Sequence, residues 1–408
     1  VTSDPALPPH LTTLLDALVP WPDDGLRADG PVAVDATDRL LLAHAAEQVA
    51  GTAPGDVLVL GDRFGALTLG VLALGAPDVR VHTDAVTAEA AVLHNLDETA
   101  ALVAVGRAEH LYPVLGRDVL DGARVVLLQL PKSLAELTEI AESVARYAAD
   151  DVVLLAGGRV KHMSRAMNDV LADRFERFHV SLARGKSRLL VAAGVRPEAR
   201  EAAPLYPARE RVTDAELLAA ATPTAGGAAP THLDVVAHGG TFAGATLDHG
   251  TRFLLSTAGR WPAAARVHDA VDLGCGSGLV SVVLARRYPD ARVVATDRSA
   301  AAVASTVATA GANGVRVTVT RDDVGEDLPD ASADVVVLNP PFHDRAALST
   351  DAAHRMFATA GRVLRPGGEL WCVYNTSLRY RGSLNRAVGP TEHVAQDLRF
   401  TVTRSRKV

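Results

Sequence analysis

The sequence predicts an α/β protein built from two tandem doubly wound, Rossmann-like domains, the first of them degenerate. Three observations predict it. A strand, a glycine turn, a helix and a second strand occur in that order twice, once from Asp56 and again from Val267. In both copies the second strand runs into an aspartate 23 positions after the first turn glycine, Gly61 to Asp84 and Gly274 to Asp297. Further along, "ARVVLLQLPKSL" in the first copy echoes "ADVVVLNPPFHD" in the second. Strands alternating with helices imply a parallel sheet, and one pattern at one spacing implies a duplicated unit.

The bulk numbers agree with two domains. A chain of 408 residues exceeds one ordinary core, and 48% apolar residues is ample for two. No run approaches the ~18 apolar residues of a membrane span, and the first twenty residues lack the basic start and apolar block of a secretion signal. A cytoplasmic protein is expected. The two cysteines, Cys275 and Cys372, are too few for a disulfide framework or zinc cluster, and the 14 histidines lack metal-ligand spacing. No metal is expected. The net charge of −7 argues against a nucleic-acid partner, but two segments run the other way. Ala156–Leu190 holds eight Arg or Lys against three acids, and Gly361–Val408 holds nine against three. Either could face phosphates, or simply be a solvated surface.

The first copy, residues 1–194, has lost the features of a ligand site. Arg63 stands where the central turn glycine is expected, and a side chain there would collide with a closely approaching ligand. Val59 replaces a strand-end acid, and Gln129-Leu130-Pro131-Lys132 replaces the Asn-Pro-Pro-Phe of the second copy. A domain kept without its ligand loop packs against something or binds it, and its basic segment suggests RNA. "ARGKS" within that segment is not a phosphate loop, because the glycine required five places before Gly185 is Val180. The Pro-, Ala- and Gly-rich stretch 195–230 reads as a linker. Residues 231–408 form the second domain.

In that domain Val267–Leu273 reads as a buried strand, Gly274-Cys275-Gly276-Ser277-Gly278 as a turn and Leu279–Arg287 as an amphipathic helix. Glycines let backbone approach a ligand, and Asp297 suits ribose hydroxyls. The form D-x-G-x-G-x-G, with Asp272 at the strand end, resembles the class I S-adenosylmethionine-dependent methyltransferases. Their ligand carries an ammonium and no pyrophosphate, which an aspartate favours. Asp323 is a candidate acceptor for the adenine amine of that ligand.

Asn339-Pro340-Pro341-Phe342 follows the expected fourth strand, 42 residues after Asp297. Ligands of open α/β sheets bind at such strand tips. An exocyclic amine on a base is a weak nucleophile, because its lone pair is delocalised into the ring. The side-chain oxygen of Asn339 and the carbonyl of Pro340 can accept its two protons and turn the lone pair outward. Proline fixes φ near about −65° and keeps the carbonyls aimed. Phe342 offers a stacking face worth roughly 1–3 kcal/mol. A lone Asn-Pro after a strand is more often a mere turn; the glycine turn upstream favours catalysis. His343 is assigned to structure or substrate contact.

These residues resemble the bacterial ribosomal RNA guanine-N2-methyltransferases, which carry a degenerate methyltransferase-like domain before an active one. "NPPFHD" is the specific part. "TFAGATLDHGTRFLL" is similar to the family at Phe242, Leu247, Asp248, Gly250 and Arg252. "GGELWCVYNTSLRY" is similar at Gly367, Gly368, Glu369, Leu370, Asn375, Leu378 and Tyr380. Ala243 and Gly244 stand where the family often has Ser-Arg, and Arg379 where proline is usual.

The resemblance implies methyl transfer from S-adenosylmethionine to the 2-amino group of a guanine in rRNA, with the large subunit slightly favoured over the small. It implies that Asp272, Gly274, Gly276, Gly278, Asp297 and Asp323 line the cofactor, with Asn339 beside it. Asn339, Pro340 and Phe342 would hold the base, and His343, Asn375 and Arg379 would touch substrate. A monomer is expected. The rivals are methylation of an adenine amine or a protein glutamine, a non-catalytic RNA-binding factor, and a nicotinamide-linked oxidoreductase. Asp272 disfavours the last.

Overall fold

The computed structural model describes residues 7–22, 31–102, 107–112, 114–224, 226–341 and 347–408. The chain divides into two compact units, Val1–Tyr206 and Pro207–Val408. In the first, β1 (Val57–Leu60), β2 (Asp78–His82), β3 (Arg107–Tyr112), β4 (Val125–Gln129), β5 (Val153–Arg159), β6 (Phe175–Val180) and β7 (Ser187–Val195) form one sheet in the order β3-β2-β1-β4-β5-β7-β6.

The second unit opens with β8 (Ala208–Val212) and β9 (Leu233–Ala237), an antiparallel pair. Its main sheet holds β10 (Asp269–Leu273), β11 (Arg292–Asp297), β12 (Thr318–Arg321), β13 (Ala333–Leu338), β14 (Leu364–Asn375), β15 (Thr391–Gln396) and β16 (Phe400–Arg406). Their order, β12-β11-β10-β13-β14-β16-β15, repeats that of the first sheet strand for strand. In both sheets five parallel strands are followed by an antiparallel pair.

Central strands read as unbroken apolar runs because helices cover both faces of a parallel sheet. In β13, Val335 and Val337 enter one core with Trp371, while Val336 and Leu338 enter the other with Phe357. Trp371 and Phe357 are wholly buried, and truncating either to alanine would cost about 3–5 kcal/mol. The register then sets the site. Leu273 pairs with Thr296 on one side and Leu338 on the other, so Gly274, Asp297 and Asn339 leave the sheet side by side at its carboxyl edge.

Two expectations need correcting. Residues 195–230 are not a plain linker: the boundary falls between Tyr206 and Pro207, and β8 and the helix Ala215–Ala220 belong to the second unit. Leu217 and Ala220 are buried in its core, and Asn313 fixes β9 by accepting from Asp234 N–H and donating to Asp234 O. The equal 23-residue spacing also conceals a shift. Gly274 N–H donates to the carbonyl of Thr296, one residue before Asp297, whereas Gly61 N–H donates to that of His82, two before Asp84. Asp84 therefore stands one residue farther beyond its sheet.

Candidate active site

The glycine turn is braced by the acid after β11. Gly276 N–H donates to Oδ2 of Asp297 at 3.1 Å, and Ser299 N–H donates to Oδ1 at 3.0 Å. Gly276 has φ +54°, and a Cβ built there would meet nothing within 4 Å, so open space lies over the turn. Gly278 is different. It starts the helix Leu279–Arg287 at φ +82°, and a Cβ would lie 2.7 Å from Thr306 Cα. That glycine exists for helix packing, whereas Gly276 leaves room for a ligand.

Asp272 is buried beneath the turn and accepts from the Ser281 hydroxyl. Burial pushes its carboxyl up to about 7, opposed by the Ser281 hydrogen bond and reinforced by the charge of Asp297. A buried acid so disposed gains from a cation beside it. Burial likewise pushes the Cys275 thiol up, leaving an inert side chain that receives the Thr306 hydroxyl. Asp323 forms a 2.6 Å ion pair with Arg355. Its neighbour Asp322 is buried and accepts from the N–H groups of Glu326 and Asp327.

Asn339 is held by residues from a distant part of the chain. Asp248 caps the helix His249–Leu255, accepting from Thr251 N–H at 2.9 Å. Asn339 Nδ2 donates to Asp248 Oδ2 at 3.1 Å and to Thr251 Oγ1 at 2.9 Å. Asn339 Oδ1 is buried and has no hydrogen-bond partner among the described residues. A carboxylate only accepts, so this network fixes which end of the amide faces the opening. An unsatisfied buried carbonyl costs about 1–3 kcal/mol unless a ligand donor meets it.

A pocket joins these groups. Asp272, Gly274, Cys275, Gly276, Asn339, Asp248 and Thr251 line it, with Phe242 and Thr246 at its wall. Pro340 is buried and Pro341 exposed. Phe342 and His343 lie outside the described residues. Asn375 and Arg379 line a separate groove at the end of β14, with Arg381, His393 and Leu398. Sequence reasoning assigned no site role to Phe242, Thr246, Asp248 or Thr251. The signal for Asp248 was present as an aspartate placed to cap a helix.

The first unit repeats the clamp, with an arginine at the turn in place of a glycine. Asp35 caps the helix Ala36–Val49, and Gln129, at the tip of β4, donates through Nε2 to Asp38. Arg63, in the place of Gly276, donates to Asp35 at 3.0 Å. Among the described residues no group of three His, Cys, Asp or Glu side chains could hold a metal. No helix among them is long and apolar enough to cross a membrane.

The methyltransferase small domain family model matches residues 232–404, and the RLMG N-terminal domain model matches residues 26–196. The ribosomal RNA large subunit methyltransferase G of Streptomyces avermitilis is 36% identical over 99% of this chain and 100% of its own. The protein of that name from Pseudomonas paraeruginosa is 33% identical, covering 92% and 93%. A solved 16S rRNA N2-guanine methyltransferase from T. thermophilus, in complex with AdoMet and guanosine, superposes with a TM-score of 0.67 at 22% identity over 92% of each chain, a likeness of fold. With relatives this similar end to end, the chain belongs to the ribosomal RNA large subunit methyltransferase G family.

Proposed function

We propose that the protein methylates the exocyclic 2-amino group of a guanine in large-subunit ribosomal RNA, using S-adenosylmethionine. The observation that carries this reading is the buried, unpartnered Oδ1 of Asn339, its amide fixed by Asp248 and Thr251. Such an oxygen is a preset acceptor for an amine proton, and Pro340 supplies a carbonyl beside it. When bound, the cofactor supplies an electrophilic methyl group. The open space over Gly276 and the buried acid at Asp272 fit its amino-acid end, and Asp297, at the end of β11, is assigned to the ribose hydroxyls.

Within this site the protein orients rather than activates. Asn339 and Pro340 draw the two amine protons into the plane of their oxygens, which points the nitrogen lone pair at the cofactor. The methylated amine loses its extra proton to water, so no strong base is required. Positioning of two bound reactants carries the rate. Phe342 is assigned the stacking face and His343 a substrate contact.

The first unit is assigned to RNA binding. Lys132 follows β4, and Arg159, Lys161 and the exposed His162 lie at the end of β5, so these basic residues share the sheet's carboxyl edge. Slight desolvation and then the charges of Lys161, Lys132 and Arg159 lower His162 from its usual value. Such a patch suits phosphates in a sequence-tolerant way.

The test is to incubate the protein with methyl-labelled cofactor and rRNA from cells lacking it, then digest the RNA to nucleosides. Label in N2-methylguanosine supports the proposal. Label in an adenosine or in protein, or none, removes it.

A further inference from the structure

The strand tips carry a second feature, beside the pocket, that base positioning does not use. Between β15 and β16 the chain turns through Asp397, Leu398 and Arg399, and the Leu398 side chain is 100% exposed. A single exposed leucine is ordinary. This one is held rigidly. Asp397 Oδ1 accepts from Arg399 N–H at 2.7 Å and Phe400 N–H at 2.6 Å, and Asp397 N–H donates to Phe400 O at 2.9 Å. Thr376 N–H, just past the end of β14, donates to Arg399 O at 2.8 Å. These bonds fix the backbone of the turn and keep Leu398 at its exposed tip.

The turn also shares a scaffold with the catalytic amide. Phe400 packs beside Gly250, where an added Cβ would meet its ring at 3.3 Å. Gly250 sits in the helix that Asp248 caps, and Asp248 holds Asn339. Below Leu398 lies an open groove of about 740 Å³ lined by Asn375, Arg379, Arg381 and His393. Its surroundings are basic: Asn375–Thr401 holds four arginines against two acids, on a chain of net charge −7. The partner that fits an apolar tip over a basic groove is a polyanion with stacked, uncharged faces.

We propose that Leu398 is a wedge that enters the RNA stack next to the target guanine, with the groove beneath it taking the adjoining sugar-phosphate. This rests on the guanine reading of the pocket. A base inside a stem must be unstacked and turned out to reach Asn339, which is unfavourable. An apolar side chain inserted between base steps offsets part of that cost. Arg379 and Arg381 then hold the displaced backbone. A guanine already in a single strand needs no such help, and the wedge contributes nothing there.

The test compares two RNAs carrying the guanine found by the labelling above, one with it paired in a stem and one single-stranded. Leu398→Ala, at a fully exposed position, should fold as the parent does and bind cofactor equally. It is expected to lower kcat/KM at least tenfold on the stem and less than twofold on the single strand, and Leu398→Phe should restore the stem activity. Equal loss on both RNAs, or no loss on the stem, overturns the wedge. So does a loss seen only on ribosomal particles, which would make Leu398 a contact for a ribosomal protein. If the unaltered protein methylates neither RNA, the guanine reading itself has failed and the wedge falls with it.

Discussion

Asn339 Nδ2 lies 3.1 Å from Oδ2 of Asp248, a residue 91 positions earlier in the chain. The two meet because the capped helix His249–Leu255 packs on β14 and β16, and β14 is the neighbour of β13 in the sheet. The bond decides the chemistry of the tip. With its nitrogen committed to Asp248 and Thr251, the amide presents only oxygen to the pocket, which matches an amine and would repel a carbonyl.

Asp248→Asn tests that control directly. Asparagine is as good a helix cap as aspartate, so stability should change by less than about 1 kcal/mol. It also carries an NH2 group that can turn toward Asn339 and let the amide flip. The expected result is a loss of about tenfold or more in kcat, equivalent to about 1.4 kcal/mol, with cofactor affinity held within twofold. An unchanged kcat would show that the orientation of Asn339 does not matter.

Transferring Arg63 into the second unit tests whether a side chain at that place in the turn excludes a ligand. Gly276→Arg places a side chain in the open space over the turn, at φ +54°. The backbone cost is roughly 1–2 kcal/mol, which a domain with two cores should survive. Calorimetry should show one cofactor per chain for the parent and none for the variant. Two cofactors per parent chain would contradict the degenerate reading of the first unit.

Cofactor affinity should depend on pH through Asp272, whose carboxyl burial raises to about 7. Its ionised form is the one a cation favours, so each step upward from pH 6 toward 7.5 should tighten binding, by at most about tenfold per unit. Asp272→Asn should bind more weakly and lose this slope. A flat profile in the parent would place the ammonium elsewhere.

Glu136, in the first turn of the helix Leu134–Tyr147, is raised to about 7 by burial and then by the charges of Asp84 and Glu139. Because its folded value exceeds its ordinary 4.5, stability is fully present below about 4.5 and is lost as pH climbs toward 7. Glu136→Gln cannot ionise. Its first-unit urea transition should match the parent at pH 4.5 and lie higher at pH 8, by on the order of 2 kcal/mol. Equal midpoints at pH 8 would mean the acid is solvated.

Most of the fold was legible because its signals are local. Apolar strands such as β13 are continuous, turn glycines sit where backbone must take positive φ, and the helix Leu279–Arg287 begins and ends as its pattern implies. The linker was misread because β8, "ARERV", exposes most of its charged side chains and pairs only with β9. An edge strand of that kind carries no apolar alternation to find. That the glycine turn, Asp297 and Asn339 converge at one edge of the sheet could be read from spacing. The grip of Asp248 and Thr251 on Asn339 could not, since it depends on how a separate helix docks. Comparing the copies offers a route to it: Asp35 and Asp38 precede and enter their helix as Asp248 and Thr251 do theirs.

The most direct measurement is a crystal structure of the full chain with S-adenosylhomocysteine and a guanosine-containing oligonucleotide. The guanine 2-amino nitrogen should lie about 2.7–3.2 Å from Asn339 Oδ1, with Nδ2 still on Asp248 and Thr251. A guanine bound with that amine facing solvent, or Asn339 turned with its nitrogen toward the base, would contradict the account.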